Sequence, residues 1–198
     1  PLGNANDGGY ICLDSFENMT SAVSLGISDD VSWDLDVAAH GVKIYQYDHT
    51  VEGPPVQHPQ FNFHKIKVAT QDAPQAATLD SIVSKNHITA PGSSFLKMDI
   101  EGDEWDVFLS TSDETLDKFS QIVCELHNLN LIVSDDFFRK VIQTLKKLTQ
   151  KFEVTHIHGN NYAPLLIATG SHTIPQVIEV SFANRKLFSF SESRERLP

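Results

Sequence analysis

Positive charge is what this sequence most lacks: 15 lysines and arginines stand against 26 aspartates and glutamates, a formal net charge of −11 over 198 residues. That balance repels a phosphate backbone, so no nucleic acid partner is expected. Cysteine is scarce as well. Two are present, Cys12 and Cys124, too few for a multi-bridge framework, and Cys124 lies in an apolar strand-like run that suits a reduced thiol. A reducing, cytoplasmic setting is the expectation. No run of about 18 apolar residues is available to span a bilayer, and no charged-then-apolar leader opens the chain; what precedes Pro1 stays open. Internal repeats and low-complexity tracts are also missing.

What is present is ordinary for a folded protein: 40% hydrophobic and 21% charged residues, in a length that suits one domain, taken as 1–198. Short apolar runs at 22–27, 42–47, 61–68, 94–100 and 121–126 read as strands. Helical spacing at 33–40, from Thr78 as N-cap, around Trp105, Val107 and Phe108, and from Ser134 onward separates or follows them. The last helix is the clearest, with Phe138, Val141, Ile142, Leu145, Leu148 and Phe152 spaced to share one face. Gly41 is placed to stop the first helix. Two further strands, 154–158 and 176–182, have no helix between them, only Asn160-Asn161-Tyr162 and a turn holding Gly170. Alternating strands and helices predict a doubly wound α/β fold. Its sheet should be mostly parallel and seven-stranded, with one antiparallel strand near the C-terminus.

In such sheets ligands bind beyond the carboxyl ends of the strands. Those ends carry Gly26 and Ser28 with Asp29 and Asp30, then Asp48, then Asp99 and Glu101, then Glu125 and His127, then His156 and His158. Asp48 follows the first loop by about 20 residues, where a carboxylate can accept bonds from ribose hydroxyls; capping a turn explains its spacing equally well. The first loop lacks the three glycines that bring backbone amides onto a pyrophosphate, and Asp29 and Asp30 oppose a diphosphate there. A phosphate-free nucleoside cofactor carrying a sulfonium, S-adenosylmethionine, fits that loop; so does plain helix capping by the two acids.

The segments Asp7-Gly8-Gly9-Tyr10, Ser24-Leu25-Gly26-Ile27, Tyr45-Gln46-Tyr47-Asp48, Leu79-Asp80, Lys97-Met98-Asp99-Ile100-Glu101-Gly102 and Glu125-Leu126-His127 occur in order. Together they resemble the FkbM-like methyltransferases, particularly the branch of the methyltransferase-like 24 type. The resemblance implies a Rossmann-like class I methyltransferase fold, S-adenosylmethionine as cofactor, and methyl transfer to a hydroxyl of a sugar, glycan precursor or natural product. It also implies that Tyr10, Gly26, Ser28, Asp48 and Asp99 serve the cofactor, with residues 1–21 packed on that side. A small-molecule or carbohydrate acceptor would meet Glu101, Glu125, Asn160, Asn161 and Tyr162, between loops 51–60 and 160–172.

For removal of the hydroxyl proton, His127 is the first candidate, because an imidazole pKa near ~6.5 suits the task and Glu125 shares its strand face. The resemblance implies that Asp99 faces the transferred methyl, and His158 is the second histidine candidate. A divalent cation on Asp99, Glu125 and His127 is the alternative means of acidifying the hydroxyl, against a simple hydrogen-bonded carboxylate network. Two other readings remain open: a catalytically silent interaction module on the same fold, and a nicotinamide-dependent oxidoreductase, which the missing glycines disfavour.

Overall fold

Apolar runs flanked by turn residues become the strands of one central sheet. The computed structural model describes residues 1–5, 9–167 and 173–192. Asp7 and Gly8 of the first motif, and positions 168–172 with Gly170, lie outside the described residues. In chain order the elements are β1 (Ser21–Leu25), α1 (Ser32–Ala39), β2 (Lys43–Tyr47), β3 (Phe61–His64), β4 (Lys67–Val68), β5 (Ala76–Ala77), α2 (Leu79–Lys85) and β6 (Ser94–Met98). There follow α3 (Glu104–Ser110), α4 (Asp113–Leu116), β7 (Phe119–Leu126), a 3-10 turn (Leu129–Val133), α5 (Asp135–Lys151), β8 (Phe152–Gly159), β9 (Leu165–Ile167), β10 (Thr173–Pro175) and β11 (Ile178–Asn184).

Seven strands form the sheet in the order β3-β2-β1-β6-β7-β11-β8. Neighbours are parallel except at β11, which runs antiparallel to both β7 and β8. The chain thus has the doubly wound fold its pattern predicts. β1, β6 and β7 are buried at every position, as strands covered on both faces must be. On one face α2, α3, α4 and α5 set Leu79, Ile82, Trp105, Phe108, Leu116 and Leu148 against Leu25, Leu96 and Met98. On the other, α1 brings Trp33 and Val37 onto Ala22, Ile44, Phe95 and Val123, and Tyr10 joins them from the N-terminal segment. Leu13 ties that segment to β7 by exchanging two hydrogen bonds with the Gln121 amide.

Three local expectations change. The third strand is not continuous over 61–68: the chain turns where the Ile66 amide bonds back to His64, and Lys67–Val68 pairs with Ala76–Ala77 instead. In α5 the inner stripe is Val141, Thr144 and Leu148, with Phe137 against Trp105; Phe138 is exposed and Phe152 begins β8. Ser134 holds the N-cap position of α5 without a side-chain bond, whereas Thr78 caps α2 through the Ser81 amide.

Candidate functional site

Strand register decides which side chains share the rim. Continuing one residue past Leu25↔Tyr47, Leu25↔Met98 and Met98↔Cys124 aligns Asp48, Gly26, Asp99 and Glu125. Glu179 carries the row across β11, opposite both Glu125 and His158. The chain's connections reverse direction between β1 and β6, which is where a doubly wound sheet opens a crevice.

A crevice of about 400 Å³ lies there, lined by Gly26, Ser28, Asp48 and Asp99 with Tyr47, Val68 and Ile100 as its apolar walls. Val68 reaches it because the chain turns at Ile66, so the break in the expected third strand builds the site. Asp48 is 6% exposed. One carboxylate oxygen accepts from the Ile27 and Ser28 amides at 3.0 and 2.9 Å, the other from the Thr50 amide and hydroxyl at 2.7 and 2.6 Å. Burial works to raise its pKa, but the bonds from Thr50, Ser28 and Ile27 outweigh it and hold the carboxyl below its ordinary value. The turn-capping role is therefore visible, and it splices the loop after β1 to the loop after β2. Of the two acids in the first loop, Asp30 is structural: it accepts from the Ser32 amide at 2.7 Å as α1 begins and from the Asn4 amide group at 2.9 Å.

Under the same loop is a charge that the sequence motif contains without revealing its direction. Lys97, 4% exposed, donates to the Gly26 carbonyl at 2.8 Å. Its charge offsets that of Asp34, whose pKa burial raises while Lys97, Gln46 and Ser24 pull it down.

Across β6, His127 is gripped twice by consecutive residues of α3. The Trp105 indole donates to its carbonyl at 2.7 Å, and its Nδ1 lies 3.0 Å from Oε1 of Glu104. Glu104, 0% exposed, also accepts from the Ile100 and Gly102 amides. Sequence reasoning missed Glu104 and gave its role to Glu125; Glu125 lies instead near the other ring nitrogen, 3.6 Å from Nε2. Around Nε2 are also Glu101 at 3.7 Å and Asp99 at 4.0 Å. Burial alone would lower the imidazole pKa, but the Glu104 hydrogen bond and the charges of Glu104, Asp99 and Glu125 raise it to about 9. The expectation of an ordinary imidazole is thereby corrected: His127 is a cation at neutral pH. Burial raises the pKa of Asp99, against Lys97 and His127 and with Glu101 and Glu104.

Of the cation set Asp99, Glu125 and His127, the ligand atoms of Asp99 and His127 lie within 4.8 Å of one another and of Glu101, and Glu125 stands 3.6 Å from Nε2 of His127. His158 does not join His127. Three strand spacings separate it from Asp99, roughly 14 Å along the row, and its ring faces Asn161 at 3.2 Å. Tyr10 is not on the Gly26–Asp48 crevice but on the far side of Asp99, buried against Trp33 and Phe95. Asn160 bonds Glu125 and Glu179 at 3.3 and 3.4 Å and closes a turn through the Tyr162 and Ala163 amides; the Tyr162 side chain is exposed.

Known proteins resemble the chain at two levels. In structure, the crystallised fibrillarin/Nop5p complex has a TM-score of 0.51 at 10% identity, over 89% of this chain and 77% of that one. Fibrillarin pre-rRNA processing protein of Methanococcus jannaschii has 0.49 at 7%, over 87% and 70%. An S-adenosylmethionine-dependent methyltransferase of Methanosarcina mazei has 0.46 at 9%, over 84% and 93%. No curated protein matches the sequence. The Methyltransferase FkbM domain matches residues 13–152, and the chain belongs to that family.

Proposed function

We propose that the protein transfers the methyl group of S-adenosylmethionine to a hydroxyl oxygen of a small polar acceptor. The observation that carries this is the crevice over the β1–β6 switch point, with apolar walls at Tyr47, Val68 and Ile100; Lys67 also lines it, paired with Asp103 at 2.8 Å. Flat apolar walls suit an adenine, and a loop bearing Asp29 and Asp30 in place of phosphate-binding glycines suits a cofactor whose charged centre is a sulfonium. Gly26, Ser28 and Asp48 would line the nucleoside, and Asp99 would face the methyl. The acceptor oxygen attacks the methyl carbon, the carbon–sulfur bond breaks to leave a neutral thioether, and the hydroxyl proton passes to His127 once the imidazolium has lost its own. Among the described residues no helix is long and apolar enough to cross a membrane.

Calorimetric titration with S-adenosylhomocysteine tests the reading. Binding is expected in the wild type and at least about tenfold weaker in Asp48→Ala, which removes a fixed carboxylate beside the ribose position. No heat and no thermal shift in the wild type would favour a silent module, and unchanged affinity in the variant would remove Asp48 from the cofactor.

A divalent cation is a second reading, favoured by one observation. The ligand atoms of Asp99, Glu101 and His127 face one another at spacings too long for hydrogen bonds, and Asp99 Oδ1 has no hydrogen-bond partner among the described residues. Gaps of that size fit a small hard ion at ~2.1 Å from each donor, and a ligating histidine characteristically has its other nitrogen held by a carboxylate, here Glu104. Such an ion would supply Lewis acidity toward the acceptor oxygen. Manganese electron paramagnetic resonance should then show a bound ion that His127→Ala releases, and chelation should abolish turnover. Full turnover after exhaustive chelation, with no bound manganese, would reject it.

A further inference from the structure

A second cavity opens on the far side of Asp99 from the cofactor crevice. Of about 330 Å³, it is enclosed by the N-terminal segment and the ends of β8 and β11, and Pro1, Tyr10, His156, His158, Glu179 and Ser181 line it. Strand alternation sets one of these side chains against the proposed reaction centre. Tyr10 packs in one cluster with Phe95 of β6 and Val123 of β7. Asp99 and Glu125 continue the alternation of Phe95 and Val123 toward the carboxyl ends, so they project from the same face of the sheet. The phenol hydroxyl lies toward them: burial, and then the charges of Asp99, Glu125 and Glu179, push its pKa well above the ordinary value, which keeps it a hydrogen-bond donor. Tyr10 is 2% exposed, and that hydroxyl has no hydrogen-bond partner among the described residues. Asp99 Oδ1 has none either. A buried donor and a buried acceptor left this way, on one face at one strand end, point to a ligand group that completes both.

A hydroxyl is such a group, because its oxygen accepts one hydrogen bond while its own hydrogen donates another. Charge does not select the ligand here. Glu125 and Glu179 both hold Asn160, His127 stands 3.6 Å from Glu125, and Pro1 lines the cavity together with Glu179. The direction of methyl transfer does select. An in-line displacement brings the oxygen to the methyl carbon opposite the departing sulfur. A nucleoside in the Gly26–Asp48 crevice therefore leaves the side of Asp99 that holds Tyr10 for the incoming oxygen. The Trp33 indole N–H is also buried without a partner among the described residues, but it lines a small pocket with Gly26, Ser28 and Asp99 and so belongs to the cofactor side. We propose that the second cavity receives the acceptor and that Tyr10 holds its reacting hydroxyl: the phenol donates to the oxygen, and the hydroxyl donates to Asp99 Oδ1, 4.0 Å from Nε2 of His127. The part played in catalysis rests on the methyl-transfer reading; the affinity of Tyr10 and Asp99 for a hydroxyl stands apart from it.

Tyr10→Phe removes the hydroxyl and keeps the ring. The ligand-free variant is expected to melt with the wild type or above it, because no internal bond is lost. Melting lower by about 5 °C or more would mean that the fold itself uses the hydroxyl, and would overturn the proposal. Calorimetry should give the two proteins the same affinity for S-adenosylhomocysteine; a loss of about tenfold or more in the variant would return Tyr10 to the cofactor and overturn it equally. The hydroxyl preference is read with cyclohexanol and cyclohexanone, rings of equal size of which the ketone accepts but cannot donate. Each is titrated, in the presence of S-adenosylhomocysteine, into protein carrying ring-fluorinated tyrosine. The Tyr10 fluorine signal, assigned by its loss in Tyr10→Phe, should shift saturably with the alcohol, and the ketone should bind about tenfold more weakly. Asp99→Ala should bring the two probes to parity. An unmoved Tyr10 signal, equal binding of both probes to the wild type, or an unchanged preference in Asp99→Ala would each sink the assignment. An alcohol preference at Tyr10 without S-adenosylhomocysteine binding would support the cavity's chemistry while unseating the methyl-transfer reading, and the reverse pattern would do the opposite.

Discussion

Gly26→Ala is expected to lower the melting temperature by on the order of 10 °C and to abolish S-adenosylhomocysteine binding, while Gly41→Ala shifts melting by only a few degrees and binds normally. Both glycines have positive φ, +75° and +79°, so each alanine bears the left-handed backbone penalty of about 1–2 kcal/mol. Their surroundings differ. A Cβ at Gly26 would stand 1.6 Å from the Asp99 carbonyl oxygen and 2.7 Å from its carbon, backbone atoms of the neighbouring strand end; a Cβ at Gly41 meets nothing within 4 Å. Accommodating the first requires β1 and β6 to part at their carboxyl ends. That adds overpacking strain, for a total of roughly 3–5 kcal/mol, and it displaces Gly26 from the Lys97 ammonium that holds its carbonyl. Circular-dichroism melts of the two variants side by side check this. Equal melting of the pair would mean that the close approach of the two strand ends carries no weight.

The contrast shows what a sequence can and cannot disclose here. That β1 ends in a glycine at a loop is legible, because an apolar run stops there and helical spacing resumes; that the glycine is compressed by Asp99 is a fact of strand adjacency. Fully buried strands announce themselves through unbroken apolar runs, and for that reason the cores of β1, β6 and β7 are found at the expected places. The turn at Ile66 leaves only a faint mark, the shift of the apolar alternation from Phe61 and Phe63 to Ile66 and Val68, and no proline or glycine marks the bend. Yet that turn sends Val68 to the crevice. Histidines were separable only by topology: His127 and His158 both end strands, but β11 inserts between β7 and β8 and holds them apart. Glu104 is hidden in a different way. It is one of several acids between Asp99 and Asp106, each an ordinary residue for the first turn of a helix, and only the direction of α3 reveals which of them turns inward.

Removing that inward charge should change the chemistry of His127 more than the fold. Glu104→Gln is expected to lower the imidazole pKa from about 9 by a unit or more in cation-free protein, as read from the His127 Cε1 proton by NMR. The amide keeps an oxygen for the Ile100 and Gly102 amides but offers Nδ1 no negative charge. Because the folded pKa is raised above the unfolded value near ~6.5, the stabilisation belongs to the protonated form. It is complete below about pH 6.5, fades as pH rises, and is gone above about 9, so stability falls with pH across that window. The melting difference between wild type and Glu104→Gln should follow it, on the order of 2 kcal/mol at pH 6 and little at pH 10. If His127 takes the acceptor's proton, wild-type turnover rises with pH toward an apparent pKa near 9, since the base must first lose its own proton. The variant's profile should move to lower pH. Its plateau should drop about 10- to 100-fold, because the ring is no longer held by a buried carboxylate, while S-adenosylhomocysteine affinity is retained across β6. A merely structural Glu104 would lower melting at every pH and leave both the NMR titration and the rate profile where they were.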